Sequence, residues 1–429
     1  MKTILIKNAR VIDPSQNLDK KADLLVADGV VKELSETIAA TVDETIEAEG
    51  LILAPGLVDM HVHLRDPGQT HKEDVYSGCR AAAAGGVTSL LCMPNTSPAL
   101  DSPEAVKAIL EKAKEADARV YVAASITKGL KSETLCDFKA LKAAGAVALT
   151  DDGRPVTNSA YLRAALNAAH TLSMAVVSHC EDLNLAAGGV INEGKVSKRL
   201  GVKGIPRAAE DAGTAREIAV AEGDDVPVHI CHVSTKGSVA LIRCAKRRGA
   251  KVTCETAPHY FTLTEKALLA RDADYRMNPP LRTEEDKAAI IEGLLDGTID
   301  AIATDHAPHT PQEKADFLKA PNGSIGMETS LAASLTALVK PGRLSLSALI
   351  DKMSTSPARL LHIPGGTLKT GAPADIVLFD EREEWTVDPE KLHGKSKNTP
   401  FKGMTLCGKV KLTLLGGRVV YRDTTGRMV

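Results

Sequence analysis

The chain has no run of basic residues long enough to follow a phosphate backbone, and Lys+Arg at 53 against Asp+Glu at 55 leaves a formal charge of -2. Nucleic acid is therefore not an expected partner. Long apolar runs are missing as well. The opening "MKTILIKNAR" falls short of a signal peptide, and no later stretch approaches the length that spans a bilayer, so a cytoplasmic protein without membrane contact is expected. The eight cysteines (Cys79, Cys92, Cys136, Cys180, Cys231, Cys244, Cys254 and Cys407) include no CxxC pair. Most lie in apolar, strand-like segments, which fits free thiols in a reducing compartment better than a disulfide framework. Low-complexity tracts and solenoid repeats are absent too.

What the chain does have is 429 residues, 44% of them hydrophobic, enough for one large α/β barrel with an appendage or for roughly two or three ordinary domains. Eight strand-like segments recur in order: "LVDMHVHL", "GVTSLLCMPN", "RVYVAASIT", "AVALTDD", "MAVVSHCED", "VPVHICHVS", "AKVTCETAP" and "IDAIATDHAPH". Between them lie stretches such as "SPEAVKAILEKAKEA", with apolar residues at helical spacing. Eight strand-helix units over residues 55–365 predict a (β/α)8 TIM-type barrel. Residues 1–54 and 366–429 carry short β-like pieces with Asp-Gly, Glu-Gly and Gly-Gly turns. Neither end is long enough alone, so the two are expected to join in one small β-sandwich domain.

In such a barrel the active site sits at the C-terminal strand ends. His61 and His63 share one strand face, about 6 to 7 Å apart along the chain. The fourth segment ends in Asp151 and Asp152, the fifth in His179, the sixth in His232 and the eighth in Asp305. A lone HxH pair on a strand is more often a polar face or a satisfied core pair. Metal-competent residue types at the same end of five strands change that reading, and the nitrogen and carboxylate set suits zinc or a similar borderline metal. Strand alternation places His229 on the side opposite His232 and turns Cys180 and Cys231 outward.

The motifs "DMHVHLRDPG", "MPNTSP", "LTDDG", "SHCED", "CHVST", "NPPLR" and "ATDHAPH" resemble those of the dihydroorotase family, in its longer, bacterial-type class within the amidohydrolase superfamily. The resemblance covers nearly the whole chain. It implies one or two zinc ions per subunit held by His61, His63, Asp152, His179, His232 and Asp305, although the residues alone leave Asp151 open as the ligand in place of Asp152. Hydantoinases, allantoinases and shorter dihydroorotases carry a carboxylated lysine on the fourth strand, where this chain has aspartates.

The activity implied is the reversible cyclisation of N-carbamoyl-L-aspartate to L-dihydroorotate in pyrimidine biosynthesis, with Asp305 as catalytic acid and base. Arg65, Asn95 and His309 are implied to hold the substrate carboxylate, and Asn278, Asn322 and Gly323 to meet the ring. Asn322 departs from the family pattern, standing where an aromatic is usual, and Gly323 is expected to act through its backbone. A homo-oligomer is expected, as is possible association with aspartate carbamoyltransferase. The alternatives are a hydantoinase- or allantoinase-like cyclic amidohydrolase and a non-catalytic scaffold for that transcarbamoylase. The segment from His309 to Gly323, charged and with few evident core anchors, is expected to close over substrate.

Overall fold

In the computed structural model, which describes residues 2–425, eight parallel strands follow one another around a ring. They are β1 (Leu57–Val62), β2 (Val87–Cys92), β3 (Arg119–Ser125), β4 (Ala146–Thr150), β5 (Ala175–Ser178), β6 (Val228–Ile230), β7 (Val252–Thr256) and β8 (Ala301–Ile302). Each pairs with the next, and helices connect them, as the alternating pattern predicts. Local chemistry explains the helices. Pro103–Lys112 starts on a Ser102 cap that accepts from the Ala105 N–H, has Pro103 in its first turn, Glu104 near its start and Lys112 near its end, and buries Val106 and Ile109.

The ring closes where β1 meets the residues after β8. His63 N donates to His306 O (2.8 Å) and His306 N to His61 O (3.3 Å). The buried Asp59 carboxylate adds a side-chain lock, accepting from Thr304 N (3.0 Å) and Thr304 Oγ1 (2.6 Å). Burial pushes the Asp59 carboxyl up to about 6 against these bonds. Val58, Met60, Leu91, Met93, Ala123, Ala148, Val177, Cys231, Ala301 and Ala303 pack together inside. In so narrow a ring, alanines on some strands make room for larger side chains on others.

Five strands from the N-terminal region, between Ile4 and Pro55, and three from the C-terminal region, Ile376–Thr386, Thr405–Leu415 and Arg418–Arg422, form a second sheet. It is antiparallel except where Ile4–Asp13 pairs with Glu44–Glu47 and Ile52–Pro55. Alternation along Ile376–Thr386 divides the labour. Ile376 and Leu378 enter the sheet's own core, and Val377 and Phe379 pack with the apolar shell between the barrel strands and their helices. Gly86, at φ +80, lies against this strand, and a Cβ there would come within 2.6 Å of Val377 Cγ2. Arg119 on β3 makes two bonds, 2.8 and 3.0 Å, to the buried Asp375. All eight cysteines are free, seven of them buried, and no helix among the described residues is long and apolar enough to cross a membrane.

Phe379 is fully buried between sheet and barrel. Phe379→Ala is expected to destabilise the protein by about 3–5 kcal/mol through lost transfer energy and the cavity left behind. Urea unfolding followed by circular dichroism checks this, and a change below about 1 kcal/mol would mean that the sheet does not depend on this contact.

Candidate active site

Two breaks in strand regularity build the mouth of the barrel. On β1 the register against β2 shifts between Asp59 and Val62. Met60 packs in the interior, and the next residue, His61, also faces inward, with His63 following it. On β6, His229 faces the interior and Ile230 packs outside, and Cys231, just past the strand end, is again interior. His232 then takes a left-handed backbone, φ +35, which turns its ring into the mouth. The expected orientations of His229 and Cys231 are therefore corrected. Alternation holds along the strand, but His232 lies beyond its end and gives the wrong phase. Cys180 does stay in the outer shell.

Asp152 lies at the centre of the resulting cluster. Its Oδ1 is 3.2 Å from His61 Nε2, 3.7 Å from His232 Nε2 and 3.8 Å from His179 Nδ1, and its Oδ2 is 3.5 Å from His63 Nε2. Asp305 Oδ1 is 3.1 Å from His63 Nε2 and 3.7 Å from His61 Nε2. Burial alone would raise both carboxyls, but the imidazoles overcome it and hold Asp152 and Asp305 well below the usual carboxylate range. His61 Nε2 and Asp152 Oδ1 are buried without a hydrogen-bond partner despite their proximity. Two overlapping sets, His61 with Asp152 and His232, and His61 with His63 and Asp305, bring three ligand atoms within 4.8 Å of one another. Converging nitrogens and carboxylate oxygens with unsatisfied atoms between them fit a divalent cation. The neighbouring Asp151 is committed elsewhere, accepting from Ile126 N (2.8 Å), Thr127 N (3.1 Å) and the Thr127 hydroxyl.

Three of the four rings are oriented from behind. His61 Nδ1 meets Glu255 Oε1 (3.3 Å), His63 Nδ1 meets Asn95 Oδ1 (2.8 Å), and His179 Nε2 meets Glu181 Oε2 (3.3 Å). Glu255 and Glu181 are additions that sequence reasoning missed. Glu255 also reaches His229 Nε2 (3.3 Å). Burial would raise it, but these two imidazoles hold it down at about 2. An acid within the apolar segment "AKVTCETAP" was the available signal.

Above the cluster is a cavity of about 250 Å³ lined by His63, Arg65, Asn95, Asp152, His179, His232, Asn278, Asp305, His309, Asn322 and Gly323, among others. It gathers every expected site residue except His61, which lies beneath with no exposure. A larger cavity of about 790 Å³, between the second sheet and the helix Pro103–Lys112, contains none of these groups. Size therefore does not mark the chemistry.

Arg65 is 8% exposed. Its Nε donates to Pro308 O (3.2 Å) and its Nη2 meets His309 Nε2 (3.2 Å). Asn278 Nδ2 donates to Glu181 Oε2 (3.1 Å), and its Oδ1 has no partner. Asn322 accepts from Arg276 Nη2 (3.2 Å) through its side chain. The Gly323 N–H is taken by Arg276 O (2.9 Å) and its carbonyl by Asn398, so its backbone donor is not available to a ligand. The segment around them is better anchored than its composition suggests: Phe317 and Ala320 are buried with Tyr260, Met277 and Leu281. The buried Lys314 ammonium donates to Arg276 O (3.2 Å) and Pro321 O (2.9 Å).

Burial, reinforced by the Arg65 charge, pushes His309 down to about 3. The ring is thus neutral at physiological pH. Because unfolded histidine takes up a proton near 6.5 and folded His309 resists until about 3, this residue costs stability as pH falls through that window. His309→Gln is expected to lose less stability than the parent between pH 6.5 and 4, and the parent's His309 resonances should not titrate above pH 5. A His309 transition near pH 6.5 by NMR would contradict this.

The profile of the family described as "Dihydro-orotase-like" matches residues 50–238, and that described as "Amidohydrolase family" matches residues 294–421. A dihydroorotase from Geobacter metallireducens is 55% identical over 422 residues, covering 98% of this chain and 99% of its own length. One from Syntrophus aciditrophicus is 50% identical over 424 residues, with the same coverage. Among solved structures, L-hydantoinase (dihydropyrimidinase) from Arthrobacter aurescens superimposes with a TM-score of 0.89 at 27% identity, covering 100% of this chain and 98% of its own. By sequence over nearly its full length, and by the barrel that carries its polar cluster, this chain belongs to the dihydroorotase family of amidohydrolases.

Proposed function

We propose that this protein is a zinc-dependent dihydroorotase that interconverts L-dihydroorotate and N-carbamoyl-L-aspartate. The observation that carries the reading is Arg65. A guanidinium this deeply buried normally has an acidic partner, yet among the described residues no carboxylate lies within 4 Å of it. Burial draws its pKa down to about 10, so it remains charged. Two of its contacts are with the neighbouring loop, and a guanidinium has five N–H donors. The missing counter-charge is supplied by a substrate carboxylate, and the dihydroorotate ring carries one.

His61, His63, Asp152, His179, His232 and Asp305 would hold the metal, and a mixed imidazole and carboxylate set suits zinc, as one ion or two. When bound, the metal acidifies water and polarises the amide carbonyl. The remaining work falls to the chain. Asp305 carries no proton at rest, so in hydrolysis its carboxylate receives one from the attacking water and returns it to the ring nitrogen as the C–N bond breaks. In cyclisation Asp305 takes the proton from the ureido nitrogen as the C–N bond forms and returns it to the carboxylate oxygen that departs as hydroxide when the C–O bond breaks. Arg65 fixes the substrate carboxylate with charged hydrogen bonds, assisted by neutral His309 and the Asn95 amide. Asn278 offers its unpartnered Oδ1 to a ring N–H. Asn322 and Gly323 contribute the wall, their side-chain and N–H groups being engaged with Arg276.

The likeness to L-hydantoinase favours a second reading, hydrolysis of an uncharged cyclic amide. On such a ring Arg65 would stay unpaired. Turnover assays on dihydroorotate and hydantoin separate the two, and a preference for hydantoin would overturn the proposal. Chelation is expected to abolish activity and zinc to restore it. Asp305→Asn, which keeps shape but accepts no proton, is expected to lose about 100-fold or more in kcat in both directions. Metal content is measured in parallel. Near-normal turnover at full occupancy would exclude Asp305 as the proton carrier.

A further inference from the structure

Arg65 and His309 belong to loops that leave opposite ends of the barrel sequence, after β1 and after β8. A segment more than seventy residues beyond His309 in the chain, residues 394–398, lies across both. On the first loop, Lys395 N donates to Glu73 Oε1 (3.2 Å), Lys395 Nζ to Thr70 O (2.8 Å) and Ser396 Oγ to Lys72 O (2.7 Å). On the second, every polar group of the Asn398 side chain is used. Its Oδ1 accepts from His309 N (3.1 Å), and its Nδ2 donates to Ala307 O (3.2 Å) and Gly323 O (3.1 Å). Its backbone carbonyl accepts from Ile325 N (3.1 Å). Asn398 is 4% exposed and does not line the cavity.

We infer that residues 394–398 form a strap and that Asn398 is a positioning residue for the carboxylate pocket. It joins the outgoing arm of this loop at Ala307 and His309 to the returning arm at Gly323 and Ile325, and so sets where His309 stands relative to Arg65. An amide suits this task. One planar group both accepts an N–H and donates to two carbonyls, a combination that no hydroxyl or carboxylate of similar size reproduces. The metal-type cluster is held differently, from strand ends braced by Glu255, Asn95 and Glu181. Loss of the strap contact should therefore loosen recognition of the carboxylate and leave the proton-transfer machinery in place. Carboxylated and uncarboxylated rings are discriminated by this arrangement, a statement that rests on the functional reading above.

The test compares Asn398→Ala and Asn398→Asp with the parent holoenzyme, on dihydroorotate and on dihydrouracil, the same ring without its carboxylate. Asp keeps the acceptor for His309 N–H but cannot donate to Ala307 and Gly323. For both variants KM for dihydroorotate is expected to rise ~10-fold with kcat held within ~3-fold, and the preference over dihydrouracil should fall in step, at unchanged metal content. A purely structural role would lower the melting temperature and leave that preference alone. Unchanged KM and preference would overturn the inference, as would loss of metal and kcat with KM intact.

If neither variant folds, hydrogen exchange on the parent decides. Saturating dihydroorotate should slow exchange in residues 306–325 and 394–399 together, and protection of the first segment alone would sink the strap. Arg65→Met distinguishes the two levels of failure. If it leaves KM for dihydroorotate unaltered, the carboxylate reading itself fails. If it raises KM and the Asn398 variants do not, only the strap is wrong.

Discussion

A buried carboxylate facing four imidazoles is the constraint around which the mouth of this barrel is arranged. Asp152 is 3% exposed, and an ion taken so far from water costs several kcal/mol unless opposite charge or donors surround it. Neutral imidazoles turned toward it with unprotonated nitrogens cannot supply that compensation, whereas protonated rings or a cation can. The braces behind the rings decide which faces turn inward. With Glu255 on His61 Nδ1, Asn95 on His63 Nδ1 and Glu181 on His179 Nε2, the opposite nitrogen of each ring is committed to the centre. This is the arrangement that fixes tautomer and orientation in metal-binding histidines. The choice of an aspartate at the end of β4 thus propagates outward through the residues that orient its neighbours.

The backbone shows the same concentration of demands. Arg65, His232 and Asp305 have φ of +59, +35 and +49, a region disfavoured for side chains with a Cβ. All three lie just past strand ends, where ladder hydrogen bonds no longer dictate direction. A strand delivers a side chain only up or down at each position, but imidazoles and carboxylates from several strands that gather in one cluster need intermediate directions. The bulge on β1 and these left-handed residues provide them, and the apolar shell outside the barrel keeps the distorted mouth in place.

These distortions also mark what could and could not be read from the chain. The eight strands and the histidines at their ends were legible because strand periodicity, flanking turns and metal-competent residue types coincide at regular intervals. Asp152 over Asp151 was not legible by spacing, since both end the same strand. What separates them is that the backbone N–H groups of Ile126 and Thr127 claim Asp151. His229 and Cys231 were misplaced because counting back from His232 assumes a continuous strand, and the strand ends at Ile230. Glu255 was hidden in an apolar run, its significance lying in partners on β1 and β6. Anchors such as Phe317 depend on contacts with Tyr260 and Met277 that local composition does not encode.

The two halves of the site are therefore built by different means. The groups proposed to hold a metal and move a proton stand at strand ends, fixed by the ring and its close neighbours. The groups proposed to recognise a charged substituent stand on loops held by remote segments. One barrel can carry different sites, and the likeness to L-hydantoinase at 27% identity is a likeness of architecture. For this chain the consequence concerns residues 394–398 and Arg65. A new substrate would have to offer an anion to the buried guanidinium, or the loops and the strap that hold it would have to be rebuilt together, because neither loop reaches its position through its own contacts alone.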